Sequence, residues 1–134
     1  MKIIDNNLLN EVSSAAKASP RLRMNYNFHH SLDELCHRML NAVEPGTEVP
    51  IHRHLFSSET VALLRGKIRW RFYDDNGQVD EEVVLDANGD VRCINVEKGR
   101  WHSLECLESG SVLLESKDGA YTPLGEDELL RSDS

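Results

Sequence analysis

The sequence predicts a mainly β protein, a small antiparallel barrel or double-sheet sandwich with two helices near its N-terminus. Three observations lead there. Beyond Gly46 the chain breaks into short extended stretches separated by turn-forming pairs such as Asn76-Gly77, Asn88-Gly89, Lys98-Gly99 and Ser109-Gly110. Before Gly46, apolar residues recur instead at helical spacing. Nowhere do strands alternate with helices in the repeated way that builds a doubly wound sheet. A chain of 134 residues suits one such domain and leaves little room for a second.

Each element has its own signal. Ile4 and Leu9 flank a cap at Asp5, and Leu8, Val12, Ala15 and Ala16 form a stripe, predicting a helix over 6–18 that Ser19-Pro20 ends. Residues 22–29 read as an added strand on which Arg23, Asn25, Asn27 and His29 share one side. Ser31 and Glu34 have capping-box spacing. With Leu32, Leu35, Cys36, Met39, Leu40 and Val43 they predict a second helix over 31–43, closed by Pro45-Gly46. Residues 59–65 and 67–73 read as strands divided by Gly66, the second alternating Ile68, Trp70 and Phe72 with Lys67, Arg69 and Arg71. Asp75-Asn76-Gly77 reverses the chain, and 83–85, 91–96, 102–107 and 111–114 are further strands. The last segment, 125–134, is a polar, acidic tail expected to fray.

Charge and composition exclude several classes. With 15 basic and 23 acidic side chains the formal charge is −8, which disfavours nucleic-acid binding through broad phosphate attraction. A basic pocket remains compatible with that total. Cys36, Cys93 and Cys106 are an odd number without a CxxC pair, the usage of reduced thiols rather than a disulfide framework. The opening MKIIDNNLLNEV has no apolar signal-peptide core, so the expectation is a cytoplasmic protein without membrane insertion. There is no dinucleotide glycine fingerprint, Walker loop or serine nucleophile elbow.

The histidines carry the chemistry. His52 and His54, one residue apart, point to one face if the segment is extended. Glu59 returns a carboxylate after a short bend, and strand pairing would bring His102 across from the first two. Three neutral imidazoles and a carboxylate suit a borderline divalent metal; the donor set does not separate Zn, Fe(II), Mn or Ni. His30 and His37 read as structural. Cys106 reads as a small buried apolar residue, with a catalytic thiol as the lesser alternative. Lys67, Arg69 and Arg71 read as a solvated outer face.

These residues resemble the cupin superfamily. Its first motif, G(X)5HXH(X)3–4E(X)6G, is matched throughout by Gly46-TEVPI-His52-Arg53-His54-LFSS-Glu59-TVALLR-Gly66. Its second, G(X)5PXG(X)2H(X)3N, is met by Gly99 and His102; Glu97 replaces proline, Cys106 replaces asparagine, and the interval after Gly89 is two residues longer. The resemblance covers residues 44–116. It implies a single small jelly-roll-like cupin β-barrel holding one divalent metal ion per chain on His52, His54, Glu59 and His102. The run Arg23-Met24-Asn25-Tyr26-Asn27-Phe28-His29, with PGTEVPIHRH downstream, is similar to the WbuC family of cupin-fold metalloproteins, which occur in O-antigen gene clusters.

The resulting division is 1–43 as an N-terminal helical and edge-strand extension, 44–124 as the cupin barrel, and 125–134 as the tail. Around the metal, Arg23 would clamp an anionic group, Asn25 and Asn27 would bind hydroxyls, and His29 would transfer a proton as the catalytic residue. The expected ligand is a small polar or anionic, sugar-related metabolite, and the expected assembly a homodimer. Three functions stay open: a carbohydrate or nucleotide-sugar metalloenzyme with isomerase- or epimerase-like Lewis-acid chemistry, a non-catalytic metal-dependent sugar-binding or regulatory protein, and an Fe(II)-dependent oxygenase.

Overall fold

Asp5 starts the first element. Its backbone is extended, and its carboxylate accepts a hydrogen bond from the Leu8 amide at 3.0 Å, satisfying a donor that a helix start leaves free. In the computed structural model, which describes residues 1–130, α1 spans Asn6–Ala18. The expected helix over 6–18 is therefore present. Leu8, Leu9, Val12 and Ala16 bury one of its faces against Leu40, Ala42 and Val112.

Eight strands follow: β1 Arg23–Asn27, β2 Cys36–Val43, β3 Glu59–Arg65, β4 Lys67–Tyr73, β5 Val79–Asp86, β6 Cys93–Val96, β7 Trp101–Cys106 and β8 Ser111–Asp118. They form two antiparallel sheets, ordered β1-β2-β8-β3-β6 and β5-β4-β7. Val43, Val61, Leu63, Val96 and Leu113 from the larger sheet meet Ile68, Trp70, Leu85 and Cys106 from the smaller one in a shared core. α1 covers the other face of the larger sheet. Each buried aliphatic side chain in these layers contributes roughly 1.5–3 kcal/mol of transfer free energy.

The alternation on β4 has the expected sense. Ile68 and Trp70 are buried, whereas Lys67, Arg69 and Arg71 turn outward to Asp86, Glu82 and Glu105. The reversal at 75–77 is also present: the Asp74 carboxylate accepts from the Asn76 and Gln78 amides, both at 2.9 Å.

Two expectations are overturned. Residues 31–43 are not a second helix: Cys36–Val43 is β2. Leu40 and Ala42 meet α1, Val43 enters the inter-sheet core, and His37, Met39 and Asn41 face a cavity between the sheets. A strand covered on both faces reads as a near-continuous apolar run, which periodicity does not separate from a helix. Leu32 and Leu35, which the helix would have buried, are 53% and 77% exposed. Ser31 and Glu34 do meet, the Glu34 carboxylate accepting from the Ser31 amide at 3.0 Å and from that of His30, but they close a turn. The barrel is likewise not closed; the strands stay in two separate hydrogen-bonded sheets.

The C-terminal segment is part of the architecture up to the last described residue. A 3-10 turn at Glu126–Glu128 and a bridge at Leu129 pair with the chain around His52, through Arg53 N to Glu128 O and Leu130 N to Ile51 O, each 3.0 Å. The rest of the expected tail, 131–134, lies outside the described residues.

Gly66 links the sheets at φ +93°, and a Cβ there would lie 2.1 Å from Ser111 Oγ and 2.7 Å from its Cα. Gly99 also has a positive φ, +78°, but a Cβ there would meet nothing within 4 Å. Gly66→Ala should therefore cost at least about 3 kcal/mol and Gly99→Ala about 1 kcal/mol in urea unfolding. Equal losses would contradict this packing.

Candidate metal centre

The site is assembled by the backbone before any side chain is placed. The His52 amide donates to the His102 carbonyl at 3.0 Å, and the His102 amide returns a bond to the His52 carbonyl at 2.9 Å. Directly opposed residues of an antiparallel pair present their side chains to the same face, so this bridge sets two imidazoles together. The His54 carbonyl is tied to the Gly99 amide at 2.9 Å, and the Leu55 amide to the Glu128 carboxylate at 3.0 Å. The HxH segment is thus held between β7 and the C-terminal turn rather than within a strand of its own.

His52, His54 and His102 each offer one nitrogen within 4.8 Å of the others, with ring centroids 4.3–5.9 Å apart. His52 Nδ1 lies 2.9 Å from the Pro50 carbonyl and His102 Nδ1 lies 2.8 Å from that of Arg100. A carbonyl only accepts, so both Nδ1 atoms carry the proton and both Nε2 atoms keep their lone pairs. That is how metal-ligating histidines are usually oriented. His102 Nε2 is buried and 3.2 Å from Glu59 Oε1, yet too poorly aligned to count as hydrogen-bonded. A buried nitrogen with no proper partner, two pinned tautomers and an adjacent carboxylate fit a divalent first-row ion.

The electrostatics agree with neutral ligands. Burial, reinforced by the neighbouring His102, pushes the His52 pKa down to about 4, and burial also lowers that of His54. Burial alone would raise the Glu59 carboxyl, but His102 beside it and the nearby His54 and His52 prevail and hold it below the ordinary value. Trp70 stacks on His102 at 5.5 Å and 14°, closing that side with an apolar ring.

A cavity of about 230 Å³ adjoins the imidazoles, lined also by Arg23, Asn25, His37, Asn41, Glu115 and Lys117. It opens into an outer hollow that shares Arg23, Asn25, Glu115 and Lys117. Its size is below the usual range for drug-sized ligands, so it suits a small metabolite. Of the residues expected around the metal, Arg23 and Asn25 are on this wall; Asn27 and His29 are not among its lining residues. His29 is buried, bonds the Arg38 carbonyl through Nδ1 at 3.2 Å, and stacks at 4.1 Å on His37. His30 is exposed; His37 is buried, with Nε2 3.0 Å from the Leu32 carbonyl. Cys106 is buried away from the cavity and its thiol is pushed up by burial, the setting of an inert residue.

Sequence reasoning missed Glu115 and Lys117. They follow Leu113 at two-residue spacing on β8 and share its inward side, a parity visible in the sequence only once the strand is extended to Asp118. Asn41 donates to the Glu115 carboxylate at 3.3 Å; burial, then the charge of Glu59, pushes its pKa up to about 7.

Comparison with known proteins gives a family and a fold. Residues 4–85 match the family described as Domain of unknown function (DUF6016). No curated protein matches the chain in sequence. KdgF from Halomonas sp. is similar in structure, with 15% identity and TM-score 0.60, over 77% of this chain and 84% of that one. The Schizosaccharomyces pombe Cnp3 cupin domain has 13% identity and TM-score 0.57, over 74% and 61%. The capsular polysaccharide assembling protein CapF from Staphylococcus aureus has 19% identity and TM-score 0.63, over 78% and 30%. The fold is that of cupins, and this chain spans less than a third of CapF.

The raised Glu115 pKa has a signed consequence in chelator-treated protein. The unfolded chain releases this proton near the ordinary 4.5 and the folded one near 7, so Glu115 costs stability as pH rises through that interval. His52 works oppositely, its lowered pKa costing stability as pH falls from 6.5 towards 4, but it is present in both proteins compared and cancels. Glu115→Gln should therefore gain stability relative to wild type between about pH 4 and about pH 8 in urea titrations. A difference that stays flat across that range would contradict the burial of this carboxyl.

Proposed function

The chain belongs to the DUF6016 family, and we propose that it is a metalloenzyme acting on a small, sugar-related metabolite. The reading is carried by one observation: three imidazole nitrogens converge within 4.8 Å beside Glu59, at the wall of a cavity. His52, His54, Glu59 and His102 would hold one divalent ion per chain. Bound there, the ion supplies Lewis-acid polarisation of a carbonyl or of adjacent substrate oxygens, the chemistry of isomerases and epimerases.

The chain's own groups do the rest. Arg23 and Asn25 contact substrate from the wall, and Asn27 extends the same side of β1. Proton transfer is assigned to His29 or Glu115; Glu115 is on the wall, and His29 reaches it only through the stacked ring of His37. Trp70 and the buried strands keep bulk water from the metal side. The likeness to WbuC proteins, and the fold shared with a capsular polysaccharide assembling protein, support a substrate that is a carbohydrate or nucleotide-linked sugar of surface-polysaccharide (O-antigen) synthesis. The proposal includes a cytoplasmic homodimer without membrane insertion. Free thiols at Cys36, Cys93 and Cys106 support the reducing compartment, and no helix among the described residues is long and apolar enough to cross a membrane.

Purified protein should contain about one divalent ion per chain by elemental analysis, and His52→Ala or His102→Ala should lower metal affinity at least about a hundredfold. Metal-loaded protein should convert a member of a nucleotide-sugar and sugar-phosphate panel, followed by mass spectrometry, with turnover lost in both variants. Tight binding without conversion would make the protein a sugar-binding module. Oxygen consumption coupled to product would make it an Fe(II) oxygenase.

A further inference from the structure

We infer that the cavity selects an acidic substrate, with Arg23 and Lys117 forming an oxyanion subsite on the wall supplied by the larger sheet. The inference rests on reading the cavity as a substrate site and adds the charge that the substrate must carry.

The unusual feature is an arginine left without a partner. Arg69 and Arg71 reach Glu82, Arg100 reaches Asp80, and Arg65 reaches Asn10. Among the described residues Arg23 reaches no acceptor at all, and its Nε is buried with no hydrogen bond. Burial, and then the charge of Arg21, lower its pKa, so the protein opposes this cation rather than neutralising it. Lys117 lines the same cavity, also with no carboxylate within 4 Å among the described residues. Glu115, the acid on that wall, bonds Asn41 instead of either cation. Arg23 is half-buried and its buried Nε lacks an acceptor, which a bound oxyanion would supply.

The wall has further direction. Asn25 lies opposite Asn41 in the β1–β2 register, and Asn41 Oδ1 is buried without a donor. A ligand with an oxyanion for Arg23 and Lys117 and a neighbouring hydroxyl for Asn41 would satisfy each orphaned group. Arg23 presents the fork geometry that carboxylates and phosphates match, while Lys117 adds a point charge. Because the whole chain carries −8, these two cations without a carboxylate partner, Lys117 lying over the Tyr121 ring, are set against the general field of the protein.

The test follows the side-chain Nε–H resonance of Arg23 by 1H–15N NMR in full-length wild-type protein, both as purified and after chelation, and measures anion affinity in wild type and every variant by titration calorimetry. Inorganic phosphate and malonate are titrated separately, which also tells a phosphate source from a carboxylate one. Either anion should shift that resonance in chelated protein, and Arg23→Gln or Lys117→Gln should weaken binding about tenfold or more. Arg23→Lys should fall between, showing that the loss is not unfolding, and Arg71→Gln on the outward face of β4 should bind as wild type. No shift with either anion, or equal affinity in Arg23→Gln, would overturn the subsite. That result would leave metal binding by His52, His54 and His102 intact, whereas anion binding without metal uptake would leave the subsite standing and defeat the metal centre.

Discussion

The two backbone hydrogen bonds between His52 and His102 are the contact on which the site depends. They do not belong to either sheet, yet they fix the face on which both imidazoles emerge. Everything around them restrains this pairing. β7 carries His102 against the core through Trp70, Gly99 ties down His54, and the C-terminal turn pins the next residue through Glu128. The carbonyls of Pro50 and Arg100 then choose the tautomers. The imidazole tautomers are thus set by main-chain partners, which do not titrate, while the Trp70 ring and the Glu128 carboxylate brace the segments that carry the histidines.

The cavity beside this cluster has two unlike walls. Trp70, His102 and Leu104 from the smaller sheet give it an apolar and imidazole side, whereas β1, β2 and β8 contribute Arg23, Asn25, Asn41, Glu115 and Lys117. Because β2 is buried on both faces, the same strand that seats α1 through Leu40 and Ala42 also delivers Asn41 to the cavity. The N-terminal helix therefore stabilises the polar wall from behind without contributing a residue to it.

Much of this was legible in the sequence where a local rule decided the matter. Asp5 and Ser19-Pro20 bound α1; Gly66 and the strict alternation of 67–73 bound β3 and β4; the spacing of His52 and His54 marked two of the three imidazoles that converge. Where tertiary context decided, the reading ran out. Met39, Leu40 and Val43 matched a helix because two different layers cover β2. Closure of the barrel depends on pairing between strands, which no single strand encodes. No local pattern singles out Glu115 and Lys117, and only the cavity they line sets them apart from surface charges. The row Lys67, Arg69 and Arg71 was the reverse case, a positive stripe in sequence that acidic neighbours on β5 and β7 neutralise.

The central claim is that His52, His54 and His102, with Glu59, present their free donor atoms to one ion. X-ray absorption at the edge of a bound metal examines that donor set directly. The account predicts about three imidazole nitrogens with oxygen completing the shell, at about 2.0–2.1 Å if the ion is zinc, and loss of one imidazole in the metal-loaded His54→Ala protein. A shell containing sulfur, or one without imidazole scattering, would contradict it.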